Sequence, residues 1–116
     1  MWNLIARAPM PATMLLASAA LTVFGTLAVY SQPQYISQKG RDFEPRTVTI
    51  KRGEALQIVN DDGDLRHHAY IDSASFSFDS GDQEPGTKTT IVFPVAGDFD
   101  VLCAIHPKMK LVVHVK

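Results

Sequence analysis

Cysteine is nearly absent: Cys103 is the only one in 116 residues. That excludes a disulfide-stapled miniprotein, because a staple needs at least a pair. Concentrated positive charge is missing as well. Eleven Lys and Arg against twelve Asp and Glu leave a formal net charge of −1, so no basic face for nucleic acid is expected. Beyond residue 43 no stretch keeps helical periodicity for more than a turn or two, and there is no internal repeat or low-complexity tract. Parallel β/α units are therefore disfavoured. What is not scarce is apolar residues: 43–116 hold 30 of them, enough to exclude disorder.

The rest of the apolar content lies in residues 1–42, with only four charges (Arg7, Lys39, Arg41, Asp42). Ala12 to Tyr30 runs for 19 residues broken only by Thr, Ser and Gly. At about 1.5 Å per residue a helix of that length spans roughly 28 Å, the thickness of a bilayer core. Arg7 before the run gives the plan of a secretory signal peptide or of a membrane anchor with its N-terminus inside. Val29-Tyr30-Ser31 offers a cleavage site, whereas the length of the run favours an anchor. Residues 1–31 are thus read as a signal peptide or an anchor helix. The polar stretch 32–42 (QPQYISQKGRD) is read as a linker.

Residues 43–116 read as strands. Val48 and Ile50 alternate with Thr47, Thr49 and Lys51, and Leu56 and Ile58 continue the period of two after the Arg52-Gly53 turn. His67–Ile71, Phe76–Phe78, Lys88–Phe93, Asp98–Cys103 and Lys110–Val115 follow, separated by Gly-, Pro- and Asp-rich turns. About seven short strands predict an all-β fold, a small Greek-key β-sandwich behind the N-terminal export or anchor helix. At 74 residues, a bound metal would help hold it together.

The chemistry concentrates in Cys103-Ala104-Ile105-His106-Pro107-Lys108-Met109, which places thiolate, imidazole and thioether at Cys-x2-His-x2-Met spacing. Cys103 shares parity with Phe99 and Val101, so it points into the core at a strand end. A second imidazole from another strand would complete two His, one Cys and a weak axial Met, the donor set of a blue-copper electron-transfer site. His67-His68 supplies it. His67 shares a face with Ala69 and Ile71 and is preferred, although a bulge would bring in His68 instead. Taken singly, Cys103 and Met109 could be core filler and His106 a loop residue. His114, between Val113 and Val115, is read as facing solvent. A Cys103–His nucleophile and base is disfavoured, since Met109 has no part in such chemistry and a core-facing thiol meets no substrate.

From Phe43 to Lys116 the chain resembles the cupredoxins, especially the small plastocyanin- and amicyanin-like proteins. Phe43-x-Pro45-x-x-Val48-x-Ile50-x-x-Gly53-Glu54 is similar to their opening strand, and Arg66-His67-His68-Ala69-Tyr70-Ile71-Asp72 to the strand that carries their first histidine. Gly97-x-Phe99-x-Val101-x-Cys103-x-x-His106-Pro107-x-Met109 is similar to their closing motif with a short, amicyanin-like loop. The resemblance implies one copper ion, cycling between Cu(I) and Cu(II), on His67, Cys103, His106 and Met109. It also implies single-electron transfer rather than enzymatic turnover. The alternative is a copper storage, delivery or accessory module with the same ligands. The family's Asn after the first histidine is His68 here, which predicts a looser site or a pH-sensitive neighbour. The expectation is a monomer in the periplasm or on the outer face of the cytoplasmic membrane, anchored there if residues 12–30 are retained. It would meet redox protein partners transiently near His106, between positive (Lys108, Lys110) and acidic (Asp61–Asp64, Asp79–Glu84) rims.

Overall fold

The computed structural model describes residues 8–10, 17–25 and 32–116. Among the described residues nine strands form two sheets. The first sheet has the order β2 (Phe43–Glu44), β1 (Gln34–Gln38), β4 (Ala55–Asn60) and β7 (Lys88–Val92). In the second the order is β3 (Thr47–Ile50), β9 (Lys110–Val115), β8 (Gly97–Cys103), β5 (Ala69–Asp72) and β6 (Ser77–Asp79). Every strand from β3 onward coincides closely with a segment expected from its alternation.

Alternation decides which side chains fill the space between the sheets. In β8, Phe99, Val101 and Cys103 are buried while Asp98 and Asp100 face outward. β9 runs antiparallel to it, with Phe99 opposite Val113 and Val101 opposite Leu111. Across the sandwich stand Leu56 and Ile58 of β4 and Ile91 of β7. Each such side chain, fully buried, contributes about 1.5–3 kcal/mol. At the start of β8, Phe76, Phe93 and Phe99 pack in tilted and edge-to-face contacts with ring centroids 5.5–5.8 Å apart. That aromatic base lies four residues before Cys103, or roughly 13 Å along the strand, and stiffens the end remote from the cysteine.

The N-terminal limit of the sheet differs from the expected boundary at Phe43. Residues 34–38, inside the stretch read as a linker, form β1, which pairs in parallel with β4 from Gln34↔Leu56 to Gln38↔Asn60. Its inward side chains are Ile36 and Gln38, both fully buried. Only one of them is apolar, so the period of two does not show in the hydropathy. The polar member is instead half satisfied by pairing, with Gln38 Nε2 donating to Gln83 Oε1 at 2.8 Å.

β1 turns into β2 through Lys39–Asp42, where Gly40 and Arg41 both have positive φ, 63° and 60°. Two such residues in succession form the tight hairpin turn that matches strand twist. Glycine takes this conformation freely, whereas Arg41 holds it at a cost of about 1–2 kcal/mol.

Among the described residues there is no helix, and none long and apolar enough to cross a membrane. Residues 17–25, within the expected export or anchor helix, are not helical: their backbone bonds, such as Thr22 N–H to Ala20 C=O, reach back only two residues. The remainder of that segment lies outside the described residues.

Candidate metal centre

Cys103 is the last residue of β8, and its register partner on β5 is Ala69. The antiparallel ladder therefore brings the chain just before β5, which carries His67 and His68, alongside the loop that follows Cys103. Ala104 N–H donates to the His68 carbonyl at 2.9 Å and joins the two segments through backbone. This bond does not depend on the side chain at 68, so the looseness expected from His68 is offset here.

The return loop is short because Pro107 shapes it. A proline fixes its own φ near −65° and keeps the preceding residue extended. Met109 N–H then closes a turn on the His106 carbonyl at 3.0 Å, with Pro107 at the second position. Leu111 re-enters the core two residues later. Met109 is fully buried, and His106 is partly exposed.

His67 is fixed from the other side. It forms an isolated antiparallel bridge with Gln83, donating N–H to O at 3.0 Å and accepting in return at 2.7 Å. Its ring is fully buried and presents Nδ1 to the Cys103 Sγ at 4.0 Å. His106 presents Nδ1 to the same sulfur at 3.6 Å, and the imidazole centroids are 5.0 Å apart. The three donor atoms all lie within 4.8 Å of one another. Donors on one first-row ion, bonded at about 2.0–2.3 Å, stand roughly 3.5–3.8 Å apart. The cluster therefore fits a single ion with only small adjustment.

His68 does not join it. Its ring turns outward, with Nε2 2.6 Å from Asp79 Oδ1 and Nδ1 3.5 Å from Asp82 Oδ1. The parity that sends Ala69 and Ile71 inward sends His67 the same way, and Tyr70 follows His68. His114 also faces outward, 2.6 Å from Asp98.

Protonation of the donors matters because imidazole ligates only when neutral. Burial chiefly, then the charges of His67 and Arg41, push the His106 pKa below its ordinary value against the opposing pull of Asp62. The donor chemistry is sulfur and nitrogen with a thioether next to them in the loop, a soft set suited to copper among the first-row ions.

Three neighbours of the site were not evident in the sequence. Asp62 Oδ2 lies 2.6 Å from His67 Nε2. Arg41, on the β1–β2 turn, shares a surface depression with Ile105, His106, Pro107 and Lys108. Gln83 brackets His67. Only Asp62 carried any signal, as an acid five residues before a histidine within a turn cluster, and the turn composition masked it.

No protein-family model matches the chain, and a search of curated proteins finds no match. Solved structures do match. A Cu-containing nitrite reductase from Thermus scotoductus SA-01 aligns at 27% identity and TM-score 0.68, over 75% of this chain. The chain spans about a quarter of that enzyme, 23% of its length. A reduced-state variant of amicyanin aligns at 17% identity and TM-score 0.67, covering 77% of this chain and 87% of amicyanin. A purple cupredoxin from Nitrosopumilus maritimus aligns at 20% identity and TM-score 0.63, covering 72% of this chain and 99% of that one. The two-sheet β-fold is that of the cupredoxins, and the His-Cys-His cluster with Met109 in the same loop fits a cupredoxin metal centre.

Proposed function

We propose that this cupredoxin-fold domain is a type 1 copper protein that carries single electrons between redox partners outside the cytoplasm. The observation that carries the reading is the convergence of His67 Nδ1 and His106 Nδ1 on the buried Cys103 Sγ. Cys103 as thiolate, His67 and His106 as imidazoles and Met109 as a weak thioether donor would hold the copper. Copper bound there supplies the one-electron couple. The chain's own part is to hold the donors still, keep water from the sulfur and leave one edge within reach of a partner. Cys103 is 2% exposed, which suits a ligand and not a nucleophile awaiting substrate.

His106 is the proposed edge for electron exchange. It is the partly exposed ligand, and the apolar Ile105, 43% exposed, and Pro107 stand beside it. An adjoining depression is lined by Arg41, Lys108 and Lys110, together with Arg46 and the Asp42 that pairs with it. The chain carries a formal charge of −1, or −2 once Arg7 is set aside. Positive charge is thus gathered beside His106 on a domain that is otherwise acidic, an arrangement that steers partners with acidic rims. The N-terminal apolar run is the proposed route out of the cytoplasm. The domain acts as a monomer, with protein contacts that last only for the transfer.

The test is optical and magnetic. Copper-loaded protein should show an intense thiolate-to-copper absorption and a type 1 EPR signal when oxidised, both lost in Cys103→Ser. A colourless, redox-silent Cu(II) adduct would overturn the reading. Cu(I) binding and release to an apo-protein without electron exchange would favour storage or delivery in its place.

A further inference from the structure

His67 and His106 face the cysteine through the same atom, but their far edges differ. The Nε2 of His67 meets Asp62 Oδ2 at 2.6 Å in a setting where the imidazole is 0% and the carboxylate 9% exposed. Asp62 is itself held firmly. Its Oδ1 accepts the Gly40 N–H at 3.0 Å, and its own N–H donates to Asn60 Oδ1 at 3.0 Å. The Asn60 amide is fixed in turn, donating at 2.8 Å to the carbonyls of Leu65 and Gln83.

At neutral pH a carboxylate is ordinarily without its proton and can only accept. Nε2 must therefore carry the proton, which leaves the Nδ1 lone pair free and aimed at Cys103 Sγ. We propose that Asp62 is a positioning residue for the metal centre: it fixes His67 in the Nε2–H tautomer, locks the ring's orientation and makes its Nδ1 a stronger donor. The idea rests on the copper reading for its redox consequence, whereas the tautomer is a property of the chain alone. Carboxylate–histidine–metal arrangements act in this way, and their loss typically lowers metal affinity about 10–100-fold. Here the carboxylate comes from the β4–β5 connection and is braced by the β1–β2 turn. A segment that donates no ligand thereby tunes the site.

The negative charge also has a direction. It favours Cu(II) over Cu(I), since the more positive ion gains more from a nearby anion. Asp62→Asn removes the charge and keeps one acceptor oxygen, for either the His67 Nε2–H or the Gly40 N–H. Asp62→Ala removes both.

The experiment has a copper-free arm and a copper-loaded arm. In the apo-protein, long-range ¹H–¹⁵N spectra of the His67 ring at mildly alkaline pH should show a protonated Nε2 and a bare Nδ1. The pattern should give way to mixed tautomers in Asp62→Ala. In the copper-loaded protein, Asp62→Asn should lower the Cu(II)-over-Cu(I) preference about tenfold, a rise of ~59 mV in reduction potential. Asp62→Ala should weaken Cu(II) binding by roughly 10–100-fold. A wild-type His67 protonated at Nδ1 would overturn the proposal, as would an unchanged tautomer in Asp62→Ala or an unchanged potential in Asp62→Asn. Absence of a type 1 spectrum would sink the electron-carrier reading instead and leave the tautomer arm to decide the role of Asp62.

Discussion

Gln83→Leu should destabilise the domain by about 2–4 kcal/mol, and Gln38→Leu should rescue part of that loss. The reasoning starts from two buried amides, Gln38 at 0% and Gln83 at 2% exposure. Gln83 Oε1 accepts from Gln38 Nε2 at 2.8 Å and from Ala69 N–H at 3.0 Å, while Gln83 Nε2 donates to Thr89 Oγ1 at 2.8 Å. The side-chain oxygen of Gln38, Oε1, has no partner among the described residues. Leucine at 83 leaves the Gln38 amide with neither end satisfied, at about 1–3 kcal/mol, and removes the ordinary bond to Thr89, worth about 1. Ala69 N–H keeps Ser80 Oγ at 2.9 Å and adds little. Gln38→Leu alone removes an amide that was half satisfied, while Gln83 Oε1 retains Ala69, so it should cost at most about 1 kcal/mol. With both replaced no amide is stranded on that path, and the double variant should lie about 1–2 kcal/mol above the sum of the two single effects. Urea unfolding of the metal-free protein is the assay, because bound copper would add its own linkage. If Gln83→Leu stays within about 0.5 kcal/mol of wild type, or the single effects simply add, the bridge does not hold β1 to the segment that carries His67.

Two further outcomes follow from charge. Asp61 accepts from Ser37 Oγ and Tyr35 O–H, and these bonds, Ser37 first, hold its pKa below the ordinary 3.8. A depressed carboxylate stabilises the fold above its unfolded value, and that contribution fades as pH falls through the folded one. The urea midpoint of Asp61→Asn should therefore lie below wild type at neutral pH and converge with it under acid; a gap that widens on acidification would contradict the assignment. Around His106, oxidation of the copper(I) protein by the hexacyanoferrate(III) anion should slow as salt rises, because the Debye length shrinks from about 30 Å at 0.01 M to about 10 Å at 0.1 M. Lys108→Glu should flatten or reverse that slope, whereas a wild-type rate that rises with salt would mean the net negative charge governs approach.

The strand alternation from Thr47 to Val115 was legible because each of those strands buries one apolar face, and the parity of Cys103 and His67 follows from the same rule. Donor identity was legible as well: sulfur, nitrogen and thioether donors at tight spacing are a chemical statement needing no coordinates. β1 was not, since its buried face consists of one isoleucine and one glutamine. A buried polar strand position looks like a linker until its partner is known, and Gln83 lies 45 residues away. Asp62 and Arg41 were hidden for a related reason. Each belongs to a turn whose composition explains itself locally, and each acquires its role from a histidine that the packing of the two sheets brings against it. Periodicity and donor chemistry are local properties, so the sequence alone determined the strands and the ligand types. That Asp62 braces His67 and that Arg41 borders His106 depends on long-range pairing of β1, and only the tertiary structure decided it.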